Sequence, residues 1–296
     1  MTHLKKGLWG VLATPFSGPS FDVDTESLRR EVALYTGIPS TGMVVLGVFG
    51  EGSTLDTAEQ RLIVSTVAEA AGDTPLVVGL SARSTHVAIE QARTAVEAAG
   101  SNLDALMVQV NTPQPDALTA HFTAIHEATG ADIVLQDYPV ASGVKISTAQ
   151  ILAVVERCPF IAAVKSEAPP TAAAIAALTR ATDVPVFGGL GGVGLIDELA
   201  AGASGAMTGF SHPEALQTAI EANDDGGFRA ARDAFAPWLP LANFEGQPGI
   251  GLALRKEILK RRGIIADASV RPPSPTLPAE LADMIDAHLD AVKELA

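Results

Sequence analysis

Cysteine is nearly absent from this 296-residue chain: Cys158 stands alone, so no internal disulfide framework can hold the fold. A lone thiol fits a reducing compartment, and a cytoplasmic location is expected. Basic residues are also scarce, with 20 Lys and Arg against 34 Asp and Glu and a net charge of −14. That balance repels phosphate backbones and excludes nucleic acid as a partner. It does not exclude a small anionic ligand, which needs only a few local donors. No apolar run reaches the roughly 20 residues of a membrane span, so no membrane partner is expected. Lys5-Lys6 followed by Gly7-Leu8-Trp9-Gly10-Val11-Leu12-Ala13 imitates a short signal peptide, but it reads as a first buried strand stopped by Pro15.

Catalytic signatures of several classes are missing too. There is no G-x-S-x-G elbow and no H-E-x-x-H helix. His3, His86, His121, His126, His212 and His288 are scattered, and His121 and His126 are spaced wrongly for a helical ligand pair. No metal is expected. Gly189-Leu190-Gly191-Gly192-Val193-Gly194 matches G-x-G-x-x-G, but it belongs to a seventh strand-helix unit rather than a first one. It reads as a tight loop that brings backbone close to a ligand, with no cofactor bound.

What is present is a length ample for a large core and a hydrophobic fraction of 47%. Short apolar runs recur at 8–13, 43–48, 75–80, 105–110, 133–136, 160–165, 184–187 and 205–208. Several are apolar throughout, as parallel strands covered on both faces are. Between them, 24–35, 57–71, 84–99, 115–126, 148–155, 171–178, 195–201 and 213–222 carry helical spacing. Helix 57–71 opens like a capping box, and helix 84–99 stops at Gly100. Eight strand-helix units predict an α/β fold, a (β/α)8 TIM barrel over 1–224, with a doubly wound sheet as the alternative. Residues 225–296 read as a helical extension packed on the barrel, with helices at 228–239, 250–262 and 278–295.

In such a barrel the ligand site lies at the C-terminal ends of the strands. Of seven lysines, only Lys165 ends an apolar strand, Phe160-Ile161-Ala162-Ala163-Val164-Lys165. Burial there disfavours an ammonium, and a neutral lysine amine is a nucleophile for carbonyl carbon. The alternative is a structural lysine paired with Glu167 or Asp137.

Lys165 closing strand six, Gly47-Val48-Phe49-Gly50-Glu51-Gly52-Ser53 after strand two and Lys256-Glu257-Ile258-Leu259-Lys260-Arg261-Arg262-Gly263 near the end together resemble the dihydrodipicolinate synthase / N-acetylneuraminate lyase family. The resemblance runs from about Gly7 onwards. It implies a (β/α)8 lyase, a homotetramer acting on pyruvate or another 2-oxo acid, with Lys165 forming the Schiff base. Some family positions differ. The threonines that follow strand two are Val48 and Phe49, the strand-five tyrosine is Gln136, and the arginine after the strand-five proline is Ala141. A further tyrosine, lent across a subunit interface, would fall near Asn111 or Thr112. The resemblance therefore points away from synthesis of dihydrodipicolinate. Val134-Leu135-Gln136-Asp137-Tyr138-Pro139, Val164-Lys165-Ser166-Glu167-Ala168-Pro169 and Gly202-Ala203-Ser204-Gly205-Ala206-Met207-Thr208-Gly209 look most like the L-2-keto-3-deoxyarabonate dehydratase branch, as does Trp238-Leu239-Pro240-Leu241-Ala242-Asn243-Phe244-Glu245.

The expected function is a cofactor-independent class I lyase, a dehydratase of a 3-deoxy-2-oxo sugar acid. A pyruvate-dependent aldolase and a non-catalytic 2-oxo-acid sensor remain open. The substrate carboxylate is expected to meet backbone N–H groups around Val48, Phe49 and Gly50. Gln136, Gly189 and Met207 complete the expected substrate contacts. Gln136 cannot titrate, so proton transfer is assigned to Tyr138, Glu51 or water.

Overall fold

The computed structural model describes residues 3–293. Eight parallel strands form one sheet: β1 (Gly7–Val11), β2 (Gly42–Val45), β3 (Leu76–Leu80), β4 (Leu103–Gln109), β5 (Ile133–Asp137), β6 (Ile161–Ser166), β7 (Val186–Phe187) and β8 (Gly205–Thr208). The order β8-β1-β2-β3-β4-β5-β6-β7 follows the chain, and a bridge from Gly188 to Ala206 joins its two ends. The sheet is therefore a barrel, and the doubly wound alternative falls. β3, β5 and β6 are buried along their whole length, because the barrel interior covers one face and helices cover the other.

The helices between the strands are α1 (Thr25–Gly37), α2 (Thr57–Ala71), α3 (Thr85–Ala99), α4 (Pro115–Thr129), α5 (Thr148–Arg157), α6 (Thr171–Thr179) and α7 (Leu195–Ala200). Local chemistry sets their ends. The capping box of α2 is made by Asp56, whose side chain accepts from the Glu59 N–H at 2.9 Å while Glu59 accepts from Asp56 at 3.0 Å. Helix α3 stops at Gly100, whose φ of +55° suits a residue without a side chain.

Helix α8 (Pro213–Phe235) runs further than its sequence pattern predicts. It continues through residues 224 and 225 and bends at Gly227, where φ is 68° and ψ −163°. Beyond it lie α9 (Leu239–Glu245), α10 (Gly251–Arg261) and α11 (Ala282–Val292). Residues 294 and 295 of the expected last helix lie outside the described residues. Phe210, Phe235, Trp238, Leu241, Phe244, Leu254 and Ile258 bury these helices against β8 and α7 in one apolar cluster. Among the described residues no helix is long and apolar enough to cross a membrane.

Side chains alternate between the two faces of each strand, and one set fills the barrel: Trp9, Val11, Val44, Val77, Ala105, Met107, Val134, Ala163, Phe187 and Met207. Continuing that alternation by two residues brings Gln109, Gln136, Lys165, Gly189 and Gly209 to the mouth. The apolar filling thus gives way to amides, one lysine and glycines where the strands end.

Candidate active site

Gln109, Gln136 and Lys165 stand side by side in the strand register, on β4, β5 and β6. Lys165 is 5% exposed. Its Nζ lies 3.4 Å from Oε2 of Glu167, and the same oxygen accepts a hydrogen bond from Nε2 of Gln136 at 2.8 Å. Residues two apart on a strand share a face, so Glu167 reaches Lys165 without any bend in the chain. The second carboxylate oxygen, Oε1, accepts from the Leu190 N–H at 3.4 Å. Gly189 makes this possible: a Cβ there would lie 2.2 Å from Oε1 of Glu167. The glycine-rich loop therefore brings backbone close to a carboxylate of the protein itself, where the sequence suggested a ligand.

Glu167 also governs its neighbours. Burial, helped by the Glu167 charge, raises the Asp137 carboxyl to about 6. The same two causes push the Tyr138 phenol upward. Tyr138 is half-buried and opens the short helix Pro139–Ser142 that follows β5.

A cavity of about 220 Å³ opens beside this group. Its wall includes Gly47, Val48, Ser53, Ser81, Gln109 and Gln136, with Arg83 and Ala141 also on the lining. Val48 is 43% exposed. In its loop, the N–H groups of Glu51 and Gly52 turn back to the Val48 and Gly47 carbonyls at 3.1 and 3.3 Å. Those of Val48, Phe49 and Gly50 have no partner among the described residues.

Other parts of these residues, and two further expected residues, are engaged elsewhere. Phe49 lies under the guanidinium of Arg255, 4.1 Å from ring centroid to Cζ. Gly50 turns its carbonyl to the Thr14 hydroxyl, which donates at 2.6 Å. Met207 is fully buried among the barrel-filling side chains and, like Lys165 and Gly189, is not on the cavity wall, which is built from the ends of β2 to β5 and the loops after them. Glu51 departs most clearly from its expected role. Its Oε1 pairs with Lys256 Nζ, and its Oε2 accepts from the Arg271 N–H at 2.9 Å. Both oxygens are thereby committed to the C-terminal segment, and that anchoring holds Glu51 in a left-handed conformation, φ 54°. The carboxylate that reaches Lys165 is Glu167.

Helix α10 supplies the remaining charges. Arg255 pairs with the buried Glu245 at 3.0 Å, and Glu245 also accepts from the Ser211 N–H at 3.2 Å. Lys256 donates to the Ser269 carbonyl at 2.8 Å and lies over the Phe16 ring. Sequence reasoning did not place Arg255 or Arg83 at the site. The contact of Lys165 with Glu167 is the pairing that the alternative reading of Lys165 expected, and period-two spacing was its signal. Among the described residues no group of three His, Cys, Asp or Glu side chains is arranged to hold a metal ion.

Comparison with known proteins follows the same lines. The model of the dihydrodipicolinate synthetase family matches residues 4–292. An L-2-keto-3-deoxyarabonate dehydratase from Azospirillum brasilense is 29% identical over 288 residues, covering 93% of this chain and 91% of its own. A 4-hydroxy-tetrahydrodipicolinate synthase from Corynebacterium aurimucosum is 31% identical over 277 residues, covering 92% and 88%. The crystal structure of dihydrodipicolinate synthase from Rhodopseudomonas palustris superposes with a TM-score of 0.88 at 27% identity, over 98% of this chain and 100% of that one.

Proposed function

The chain belongs to the dihydrodipicolinate synthetase family, and we propose that it is a Schiff-base lyase acting on a 3-deoxy-2-oxo sugar acid such as 2-keto-3-deoxyarabonate. The observation that carries this reading is Lys165, buried at the mouth of the barrel and 3.4 Å from the Glu167 carboxylate. The amine of Lys165 attacks C2 of the substrate, and water leaves to give an iminium. Loss of a proton from C3 then gives an enamine. Expulsion of the C4 hydroxyl, protonated as it departs, releases water and leaves an iminium conjugated with a C3–C4 double bond. Loss of a C5 proton and return of a proton to C3 turn this into a C4–C5 enol, which tautomerises to the aldehyde, and hydrolysis of the iminium frees Lys165 and 2-oxoglutarate semialdehyde.

Two features support the assignment of roles. The unpartnered N–H groups of Val48, Phe49 and Gly50 suit the substrate carboxylate. Glu167, in contact with Lys165 and oriented by Gln136, suits proton transfer between the amine, C3 and the departing hydroxyl. Tyr138 stands as the neighbouring phenol. Gln136 orients Glu167 and needs no proton of its own to give. The same reading includes a homotetramer and a cytoplasmic location.

The test is incubation of the purified protein with the 3-deoxy-2-oxo pentonate, with products identified by mass spectrometry. Semialdehyde formation, coupled to an NADP-dependent aldehyde dehydrogenase, is expected. Pyruvate with glycolaldehyde would make the protein an aldolase. No consumption across pentonates and hexonates would make it a sensor.

A further inference from the structure

The loop after β3 holds Arg83, the only charged side chain among the described residues of the cavity wall. The remaining wall is apolar or neutral: Ser53, Ser81, Gln109 and Gln136 are its polar members. Arg83 is also held in place from several directions. Oε1 of Gln91, on α3, accepts the N–H groups of Ser81 at 3.1 Å and Ala82 at 2.9 Å. Asn111, beyond the end of β4, donates Nδ2 to the Arg83 carbonyl at 2.8 Å. At the far end of the side chain, Nη1 donates to the Ser142 carbonyl, in the short helix that carries Ala141. The other guanidinium N–H groups have no partner among the described residues.

We infer that Arg83 is a specificity-determining residue at the end of the substrate remote from Lys165, where it donates a neutral hydrogen bond to a terminal hydroxyl and binds a second carboxylate more tightly, so that 2-oxo diacids bind better than 2-oxo acids with an apolar end. Three arguments combine. A guanidinium with free, coplanar N–H groups matches a carboxylate in two parallel hydrogen bonds, the strongest neutralisation a side chain offers. A chain of net charge −14 repels a doubly charged ligand over its surface, so a fixed cation at the mouth decides whether such a ligand enters. Ala141, on the same wall, carries no polar side-chain group that would compete for the guanidinium. The terminal hydroxyl of 2-keto-3-deoxyarabonate accepts from the same guanidinium as a neutral group, the weaker of the two contacts. Gln91 and Asn111 fix the backbone of the loop, and the Ser142 carbonyl holds one end of the exposed guanidinium. This inference rests on the Schiff-base reading only for which end of the acid faces Lys165.

The test compares 2-oxoglutarate with 2-oxopentanoate, which have the same chain length and differ only in a terminal carboxylate or methyl group. The readout is the ratio of concentrations giving half-maximal borohydride trapping at Lys165, a ratio insensitive to partial loss of folded protein. The diacid is expected to trap at a concentration lower by about tenfold or more. Arg83→Ala should bring the ratio close to one, and Arg83→Lys should restore part of it. Equal concentrations for the two acids, or a preference unchanged in Arg83→Ala, would overturn the inference. Calorimetry with glutarate and pentanoate, which carry no carbonyl to attack, separates this inference from the lyase reading. Arg83-dependent preference for glutarate without trapping of any oxo acid would remove the lyase and keep the subsite. Trapping without any diacid preference in either assay would do the reverse.

Discussion

Lys165 and Glu167 lie two residues apart at the end of one strand, and their charged ends meet at 3.4 Å inside the barrel mouth. A carboxylate so placed can take a proton from the ammonium and return one to the reacting carbon. Glu167→Gln keeps the shape and the bond to Gln136 but cannot cycle a proton. Turnover of the sugar acid should fall by about 10²-fold or more, while pyruvate still labels Lys165 under borohydride. Unchanged turnover would assign the proton to another group.

The buried pair of Lys256 and Glu51 ties the C-terminal helices to the loop after β2. Lys256→Met leaves the Glu51 charge buried without its partner, and a loss of about 3–5 kcal/mol is expected by chemical denaturation. Adding Glu51→Gln should recover part of that loss, since the stranded charge is gone. Strictly additive losses would mean that the pair is not coupled.

Glu31, on α1, accepts the Ala13 N–H at 2.9 Å and is fully buried, which raises its carboxyl from 4.5 to about 8. Between those values the folded protein holds a proton that the unfolded chain has lost. Stability contributed by this group is therefore present at low pH and lost as pH rises through about 8. Melting temperatures measured from mildly acidic to mildly alkaline pH should fall less steeply in Glu31→Gln than in the native protein. Parallel curves would contradict the buried-acid account.

Barrel architecture was legible because apolar runs and helical spacing alternate with a period that few other folds share. Lys165 was legible for the same reason: a lysine at the end of an apolar strand has to point into the mouth. The pairing of Glu51 was not, since Lys256 comes from a helix two hundred residues away in sequence, and only the packing of the C-terminal segment brings it over the β2 loop. Met207 illustrates a second limit. A residue motif places it near the site, but the cavity wall comes from β2 to β5, and Met207 on β8 is buried in the apolar filling. The continuity of the long helix α8 was hidden because its spacing reads as two helices, 213–222 and one starting at 228, whereas the chain bends at Gly227 and resumes its helix.

Val48 and Phe49 occupy the positions where the family resemblance expects hydroxyls, and Gln136 occupies that of a phenol. Condensation of pyruvate with aspartate semialdehyde should be negligible as a result. A steady-state rate in the ordinary range of about 1–10³ per second would show that these hydroxyls are dispensable.

The central claim is that Lys165 carries the covalent step, and reductive trapping tests it most directly. Pyruvate and borohydride should add one pyruvate-sized reduced adduct, mapped by peptide mass spectrometry to Lys165, and Lys165→Arg should abolish it while retaining the fold. An adduct on any other lysine, or undiminished labelling in Lys165→Arg, would contradict the account.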